Sequence, residues 1–298
     1  MEDLISAKRT NLSVNSVKTY ASNLRTLCRD LCYVGILDDI MNTHSEKVLN
    51  YIYSLHPNRM KQIASAILIF CPSNQDLKDV IMSANKACFD IDEKQELTDA
   101  QKQNWLSWDQ ILERRTKLYK LCIPLWIKLH LNMDEYEHLH NYVLSMVVTE
   151  IPPRRCLDYC FMKKDDTDVN NSDNYIETVE DQHYFVFNRY KTQKAYGQQR
   201  VEIPESLWDV IREWRTICVS PFLFHVSQTN PTCLRVDQFT RRLAKIFEQP
   251  GFGVNLLRHA YVSDEVLEKM PFISDLKNTA YKLGHSMKET MLYKKHVQ

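Results

Sequence analysis

Glycine is scarce, with 5 in 298 residues. All-β sandwiches and dinucleotide-binding enzymes spend glycine on turns and phosphate loops, so this chain points instead to long helices joined by polar loops. A charge of one sign is also missing: 38 Lys and Arg balance 38 Asp and Glu, a formal net charge of +0. Composition therefore gives no support for nucleic-acid binding, and a DNA-binding face would have to come from basic groups segregated onto one side. No two of the 9 cysteines form a C-x-x-C pair. Cys28/Cys32 and Cys156/Cys160 are spaced to stack on a helix face, but no histidine lies at a matching metal-ligand spacing. Free thiols in a reducing compartment are expected. The N-terminus, MEDLISAKRT, lacks the charged-then-apolar order of a signal peptide. The longest apolar stretches, such as IASAILIFC at 63–71, are too short to span a membrane. An intracellular, soluble protein without internal repeats or low-complexity tracts is expected.

What is present is an ordinary globular composition, 44% hydrophobic and 26% charged, at a length that suits two domains. Val17, Tyr20, Leu24, Leu27, Cys28 and Leu31 recur at three- and four-residue steps and predict an amphipathic helix over 13–32, with Ser13 or Asn15 as cap. Further helical patterns cover 46–56, 58–71 and 75–88. The polar stretch DIDEKQELTDAQKQNW at 90–105 marks an interdomain connection. The predicted division is a helical domain at 1–92, a linker at 93–106 and a second domain at 107–298. Ser107 and Gln110 are placed to form a capping box on the first helix of the second domain, and another helix is expected near 134–149. Three runs then favour strands, YIETV, HYFVFNRY and RVEIP, with the polar segment KTQKAYGQQ before the last. They predict a small antiparallel sheet whose hairpin carries Lys191 and Lys194 near its tip. Helices resume at 205–215, 235–248, 253–268, 272–281 and 287–295. The fold class is mainly α with a small antiparallel β-sheet.

Five local features follow in order: PPRRCLDY at 152–159, the hairpin lysine in NRYKTQK at 188–194, NLLRHAYVS at 255–263, LGHS at 283–286 and LYKKH at 292–296. Each alone has a bland reading: a solvated arginine pair, a surface lysine, an amphipathic helix edge, a helix stop, a packing tyrosine. Together they meet the needs of one reaction. Cleaving a DNA phosphodiester without metal takes a nucleophile, an acid for the leaving 5′ oxygen and cations that neutralise charge on the pentacoordinate phosphorus. A tyrosyl ester conserves bond energy for religation. Arginine forks bridge two phosphate oxygens and keep their charge, and a hairpin lysine can serve as the acid. No carboxylate cluster of the kind a two-metal nuclease uses is present, so neither metal nor cofactor is expected.

In that order of residues the chain resembles the tyrosine recombinase, or phage integrase, family. The resemblance implies that Tyr293 is the nucleophile and that Arg155 is the first arginine, with an acidic residue three positions on at Asp158; Arg154 is the alternative. Lys191 matches the hairpin lysine, with Lys194 the fallback, Arg258 the second arginine, and His285 the His/Trp position. Asn255 stands where the family has the His of His-x-x-Arg. Asn can donate a hydrogen bond but is no base at neutral pH, which moves proton handling towards His285. The step from His285 to Tyr293 is one shorter than the family's, and PPRRCLDY replaces its Gly-Leu-Arg start. These departures resemble divergent recombinases of large DNA viruses, virophages and mobile elements, for which a host nucleus or a cytoplasmic viral factory would be the location. The segment SVKTYASNLRTL is similar to the start of the family's helical core-binding domain. Lys18, Arg25 and Arg29 are then candidate phosphate contacts, joined by Arg154, Lys194 and His259 from the catalytic domain.

The implied activity is site-specific cleavage and rejoining of double-stranded DNA through a 3′-phosphotyrosyl intermediate, by a homo-tetramer on paired sites, with no membrane partner. Two rivals use the same fold: a type IB topoisomerase or hairpin telomere resolvase, and a catalytically impaired, recombinase-like DNA-binding protein. A helical protein-binding module without a DNA role is the third.

Overall fold

Helix starts along the chain follow its caps. A computed structural model describes residues 1–266, 273–284 and 286–294. The chain divides into one unit at Met1–Lys94 and another at Gln95–Gln298. The first contains α1 (Glu2–Lys8), α2 (Val14–Asp30), α3 (Ile40–Tyr53), α4 (Pro57–Ile67) and α5 (Gln75–Glu93). Ser13, rather than Asn15, caps α2 by accepting from the Ser16 amide. Ala21, Leu24 and Leu27 of α2 are buried with Ile63, Ala64 and Ile67 of α4 and Leu77, Val80 and Ala84 of α5 in a core of its own. Truncating any of these leucines would cost about 2–5 kcal/mol.

The second unit opens with α6 (Asp99–Asn104), α7 (Trp108–Cys122) and α8 (Met133–Glu150). Both Thr98–Gln101 and Ser107–Gln110 form capping boxes, at the starts of α6 and α7. The polar stretch expected as a linker is thus largely helical: α5 runs on to Glu93 and α6 begins at Asp99. Its polarity belongs to exposed helix faces, and Leu97 between them is buried. Helix α8 is buried on nearly every side from Tyr136 to Thr149, as befits a helix at the centre of a core. Pro152 and Pro153 follow it and prevent its continuation.

After α9 (Cys156–Cys160) come β1 (Met162–Lys163), β2 (Asn174–Val179), β3 (Gln182–Phe187), α10 (Gln193–Tyr196) and β4 (Gln199–Glu202). Among the described residues these strands form a four-stranded sheet in the order β1-β2-β3-β4. The sheet is mixed, which corrects the expectation of an antiparallel one. β1 pairs parallel with β2, whereas β2–β3 and β3–β4 are antiparallel. Two residues long, β1 has no run of β-formers that would signal it. The core face of the sheet carries Ile176, Phe185 and Val201, paired across the strands. Gln199 shares the buried alternation of β4, so a polar side chain points inward. The β3–β4 connection contains the single helical turn α10 in place of an open tip.

Helices α11 (Glu205–Ile217) and α12 (Val236–Ile246) each bury a stripe, Leu207, Ile211 and Trp214 in one and Phe239, Leu243 and Ile246 in the other. The helix expected over 253–268 is α13 (Val254–Ala260), which passes into a π-helical turn at Tyr261–Val266. It is followed by α14 (Ile273–Leu283) and α15 (Met287–Leu292). The nine cysteines are free. Among the described residues no helix is long and apolar enough to cross a membrane.

Candidate active site

Arg154 and Arg155 follow the proline pair, and Arg155 caps α9 with extended backbone (φ −70°, ψ 149°). Successive side chains on extended backbone diverge, and these two do. Arg154 is 0% exposed. Its Nε donates to Asp158 Oδ2 at 3.0 Å, and its Nη1 to Gln199 Oε1 at 2.8 Å and to the Lys282 carbonyl at 2.9 Å. Its guanidinium carbon lies 4.0 Å from the centre of the Phe187 ring and 4.9 Å from that of Tyr190. Arg154 therefore offers no surface to a phosphate, which corrects the expectation of a DNA contact there. Desolvation confines a buried guanidinium to protein partners.

Arg155 turns the other way. Its side chain is 17% exposed, and its Nη2 donates to Glu289 Oε1 at 3.3 Å. Its Nη1 has no hydrogen-bond partner among the described residues. Glu289 stands four residues before Tyr293, so the two share one side of the short α15 segment. Arg258 reaches the same place from α13. It is buried, donates through Nη2 to the Leu283 carbonyl at 3.4 Å, and lies 4.8 Å from the centre of the Tyr293 ring. Burial pushes the Arg258 guanidinium down to about 10, Tyr293 opposes that and the like charge of Arg155 adds to it. Arg258 is still cationic at neutral pH. Burial also raises the Asp158 carboxyl, against the attraction of Arg154, Arg155 and Arg258.

Tyr293 ends α15 with its amide donating to the Thr290 carbonyl at 3.1 Å. His259 donates from Nδ1 to the Tyr293 carbonyl at 2.8 Å, and the two rings are 4.8 Å apart. His259, expected as a DNA contact, thus holds the segment that carries the tyrosine. Leu283, Val262 and Val266 form an apolar seat beside Tyr293.

Lys191 is exposed, and both its neighbours are anchored. Tyr190 is buried and donates its hydroxyl to the Gly197 carbonyl at 2.7 Å; Thr192 donates to the Gly284 carbonyl at 3.0 Å. The hairpin is therefore held against the Gly-His turn. Lys194 lies exposed on α10, and Asn255 is exposed on α13 three residues before Arg258. His285 lies outside the described residues. In the first unit, Lys18, Arg25 and Arg29 are exposed on α2, where steps of seven and four put them on one face. Arg25 pairs with Glu2 at 3.6 Å and Arg29 with Asp30 at 3.0 Å. Such exposed pairs are worth about 0–1 kcal/mol and would yield to a phosphate.

Three further residues shape the site, and sequence reasoning missed them. Gln199 and Glu289 hold the two arginines. Buried Asn174 donates to the carbonyls of Asp158 and Arg189, at 2.8 and 2.9 Å, and accepts from the amides of Asn188 and Arg189, at 2.9 and 2.7 Å. It ties α9 to the base of the lysine hairpin. For Asn174 and Gln199, inward-facing polar residues in an otherwise apolar strand pattern were the available signal. Among the described residues no group of three or more His, Cys, Asp or Glu is arranged to hold a metal ion.

No family model matches the sequence, and no curated protein matches it either. Among solved structures, the chain is similar to the XerH site-specific recombinase in a post-cleavage complex with palindromic difH substrate. The two are 15% identical over 95% of this chain and 77% of that one, with a TM-score of 0.60. XerH in a pre-cleavage complex with difH aligns more loosely, at 14% identity over 100% and 91% of the chains and a TM-score of 0.49. XerA recombinase does so at 15% identity over 100% and 92%, with a TM-score of 0.43. The protein has the fold of the tyrosine recombinases.

Proposed function

We propose that the protein is a site-specific DNA recombinase in which Tyr293 attacks the scissile phosphate of duplex DNA. The bond from the Tyr293 oxygen to phosphorus forms as the bond to the 5′ oxygen breaks, leaving a 3′-phosphotyrosyl link and a 5′ hydroxyl. Arg155 and Arg258 neutralise the charge that builds on the equatorial oxygens. Lys191 protonates the departing oxygen, with Asn255 and His285 assisting at the phosphate. Attack by the 5′ hydroxyl of a partner strand reverses the chemistry and completes exchange, in a homo-tetramer on two DNA sites. The basic face of α2 supplies phosphate contacts.

The observation that carries this reading is the meeting of Arg155, Arg258 and Tyr293 from three separate segments of the recombinase fold. Arg258 lies over the ring of the one tyrosine that the motif order selects, and Arg155, with an unpartnered donor, lies near enough to Arg258 to repel its charge and is held by Glu289 four residues before that tyrosine. The test is a suicide DNA substrate whose short released fragment, the one bearing the new 5′ hydroxyl, diffuses away. Wild-type protein should accumulate a covalent adduct. Tyr293→Phe should bind the same DNA and form none. A persistent adduct in that variant would remove Tyr293 as the nucleophile.

One observation favours a second reading, a DNA-binding protein with impaired chemistry: Asn255 occupies the position where the family has histidine. Salt-sensitive binding by the wild type without any adduct would establish it.

A further inference from the structure

A general acid must sit within hydrogen-bond reach of the oxygen it protonates, and Lys191 is an exposed side chain on a connection between strands. What fixes that connection lies beneath it. Arg154 reaches one flank of Lys191 directly, the Tyr190 ring 4.9 Å from its guanidinium carbon, and the other through Gly284, which lies beside the guanidinium and accepts from Thr192. Gly284 has φ +70°, and a Cβ there would lie 3.1 Å from Arg154 Nη2. The same guanidinium bonds Gln199 on the far arm of the hairpin and the Lys282 carbonyl at the end of α14. Gln199 in turn donates to the Tyr281 carbonyl at 3.1 Å. Asp158, immediately after the α9 residue that follows Arg155 by two, completes the set at Nε. One buried side chain thus joins α9, both arms of the hairpin and the turn before His285. An apolar residue would fill that volume with less desolvation cost, but it could not make directional bonds to three elements at once.

We propose that Arg154 is a positioning residue for Lys191, a buried clamp that sets the height and direction of the hairpin over the scissile phosphate. It touches no substrate and acts through Tyr190 and Thr192. The inference rests on the strand-transfer reading given above.

The experiment compares two suicide substrates, one ordinary and one with sulfur in place of the bridging 5′ oxygen. With sulfur, Tyr293 attack breaks the P–S bond and expels a thiolate. A thiol's pKa is about 8.5, so this leaving group departs without a proton from the acid. Lys191→Ala should be slow on the ordinary substrate, by about 100-fold or more, and close to wild type on the sulfur substrate. Arg154→Lys, which keeps the charge and loses the fork, should show the same pattern. Thr192→Val, a mild change for which folding is secure, should lose about three- to tenfold on the ordinary substrate alone. Equal losses on both substrates for Arg154→Lys and Thr192→Val, with Lys191→Ala rescued, would overturn the inference. So would failure of sulfur to rescue Lys191→Ala. Absence of adduct from the wild type on either substrate would instead remove the strand-transfer reading itself. If Arg154→Lys does not fold, Thr192→Val decides.

Discussion

The wall of the site around Arg154 and the floor around Arg155, Arg258 and Tyr293 both place guanidinium groups beside carboxylates, with opposite consequences. On the wall, Arg154 and Asp158 are 0% and 1% exposed and bonded at 3.0 Å. On the floor, the carboxylate that meets Arg155 belongs to Glu289, which is 43% exposed. Breaking a buried pair by removing one partner costs about 3–5 kcal/mol, whereas an exposed pair is worth about 0–1 kcal/mol. Under the proposed function a DNA phosphate would therefore take Glu289's place on Arg155 but would have no means of displacing Asp158. The wall would fix geometry, and the floor would be open to chemistry.

The largest effect should come from exchanging the two arginines' fates. Arg154→Met strands Asp158 in the interior and should lower unfolding free energy by about 3–5 kcal/mol. Arg155→Met should change stability by about 0.5 kcal/mol or less, while slowing adduct formation by about 100- to 1,000-fold. Urea denaturation and single-turnover cleavage, run on both variants, separate the two outcomes. Similar stability losses in the two would erase the distinction between wall and floor.

Another arginine, partly buried, sharpens the comparison because its hydrogen-bond partners are neutral. Arg242 donates to His140 Nδ1 at 2.6 Å and to the Val226 carbonyl at 2.7 Å. His140 stacks on His225 at 4.4 Å, and His225 Nε2 meets the Tyr136 hydroxyl at 2.9 Å, with Cys218 on its other nitrogen. Burial first, and Arg242 second, hold His140 well below the usual imidazole value and push His225 down to about 4. Both folded values lie below the unfolded one near 6.5. This contribution is therefore whole above pH 6.5 and is lost as pH falls from 6.5 towards about 4, by a few kcal/mol. The urea midpoint should fall across that window, and His225→Phe should flatten part of the fall. An identical pH slope in the variant would show that His225 does not contribute.

Gly284→Ala tests the wall from its edge. A φ of +70° costs a non-glycine residue about 1–2 kcal/mol, and the new methyl would press on Arg154 Nη2 at 3.1 Å. A stability loss of about 1–3 kcal/mol with slower cleavage is expected by thermal melting and adduct assay. Unchanged values would mean that the turn and the clamp move independently.

How much of this was legible beforehand follows the same division. The amphipathic helices and their caps at Ser13 and Ser107 were readable because period and cap chemistry are local, whereas the Thr98 cap lay hidden in a stretch whose polarity suggested a connection. The ordered string from Arg155 to Tyr293 was readable only as residue types that suggest a reaction, and of it the structure brings Arg155, Arg258 and Tyr293 to one place. The roles of Arg154 and Arg155 were not, since neighbouring identical residues differ only in which way the backbone turns them. Gln199, Asn174 and Glu289 escaped because a polar residue's partner lies far off in the chain: 45 residues separate Gln199 from Arg154, and 134 separate Glu289 from Arg155. Parallel pairing by the two-residue β1 was hidden for the same reason. Such a short strand is made by its partner, not by its own propensity.

The smallest expected effect is the most direct test of the floor. Glu289 reaches Arg155 Nη2 at 3.3 Å, on the face of α15 that also leads to Tyr293. If its carboxylate occupies the arginine only until a phosphate arrives, it competes with DNA. Glu289→Gln then removes a charge repelled by the phosphate and frees Arg155, without disturbing a buried group. A pair worth about 1 kcal/mol or less corresponds to a gain of about fivefold at most in affinity or initial cleavage rate. That gain should shrink as salt screens the competition. Adduct formation measured at two ionic strengths reads both terms. A loss of cleavage in Glu289→Gln would make Glu289 part of the assembled site, and would place the floor, like the wall, among the regions whose charges are fixed by protein alone.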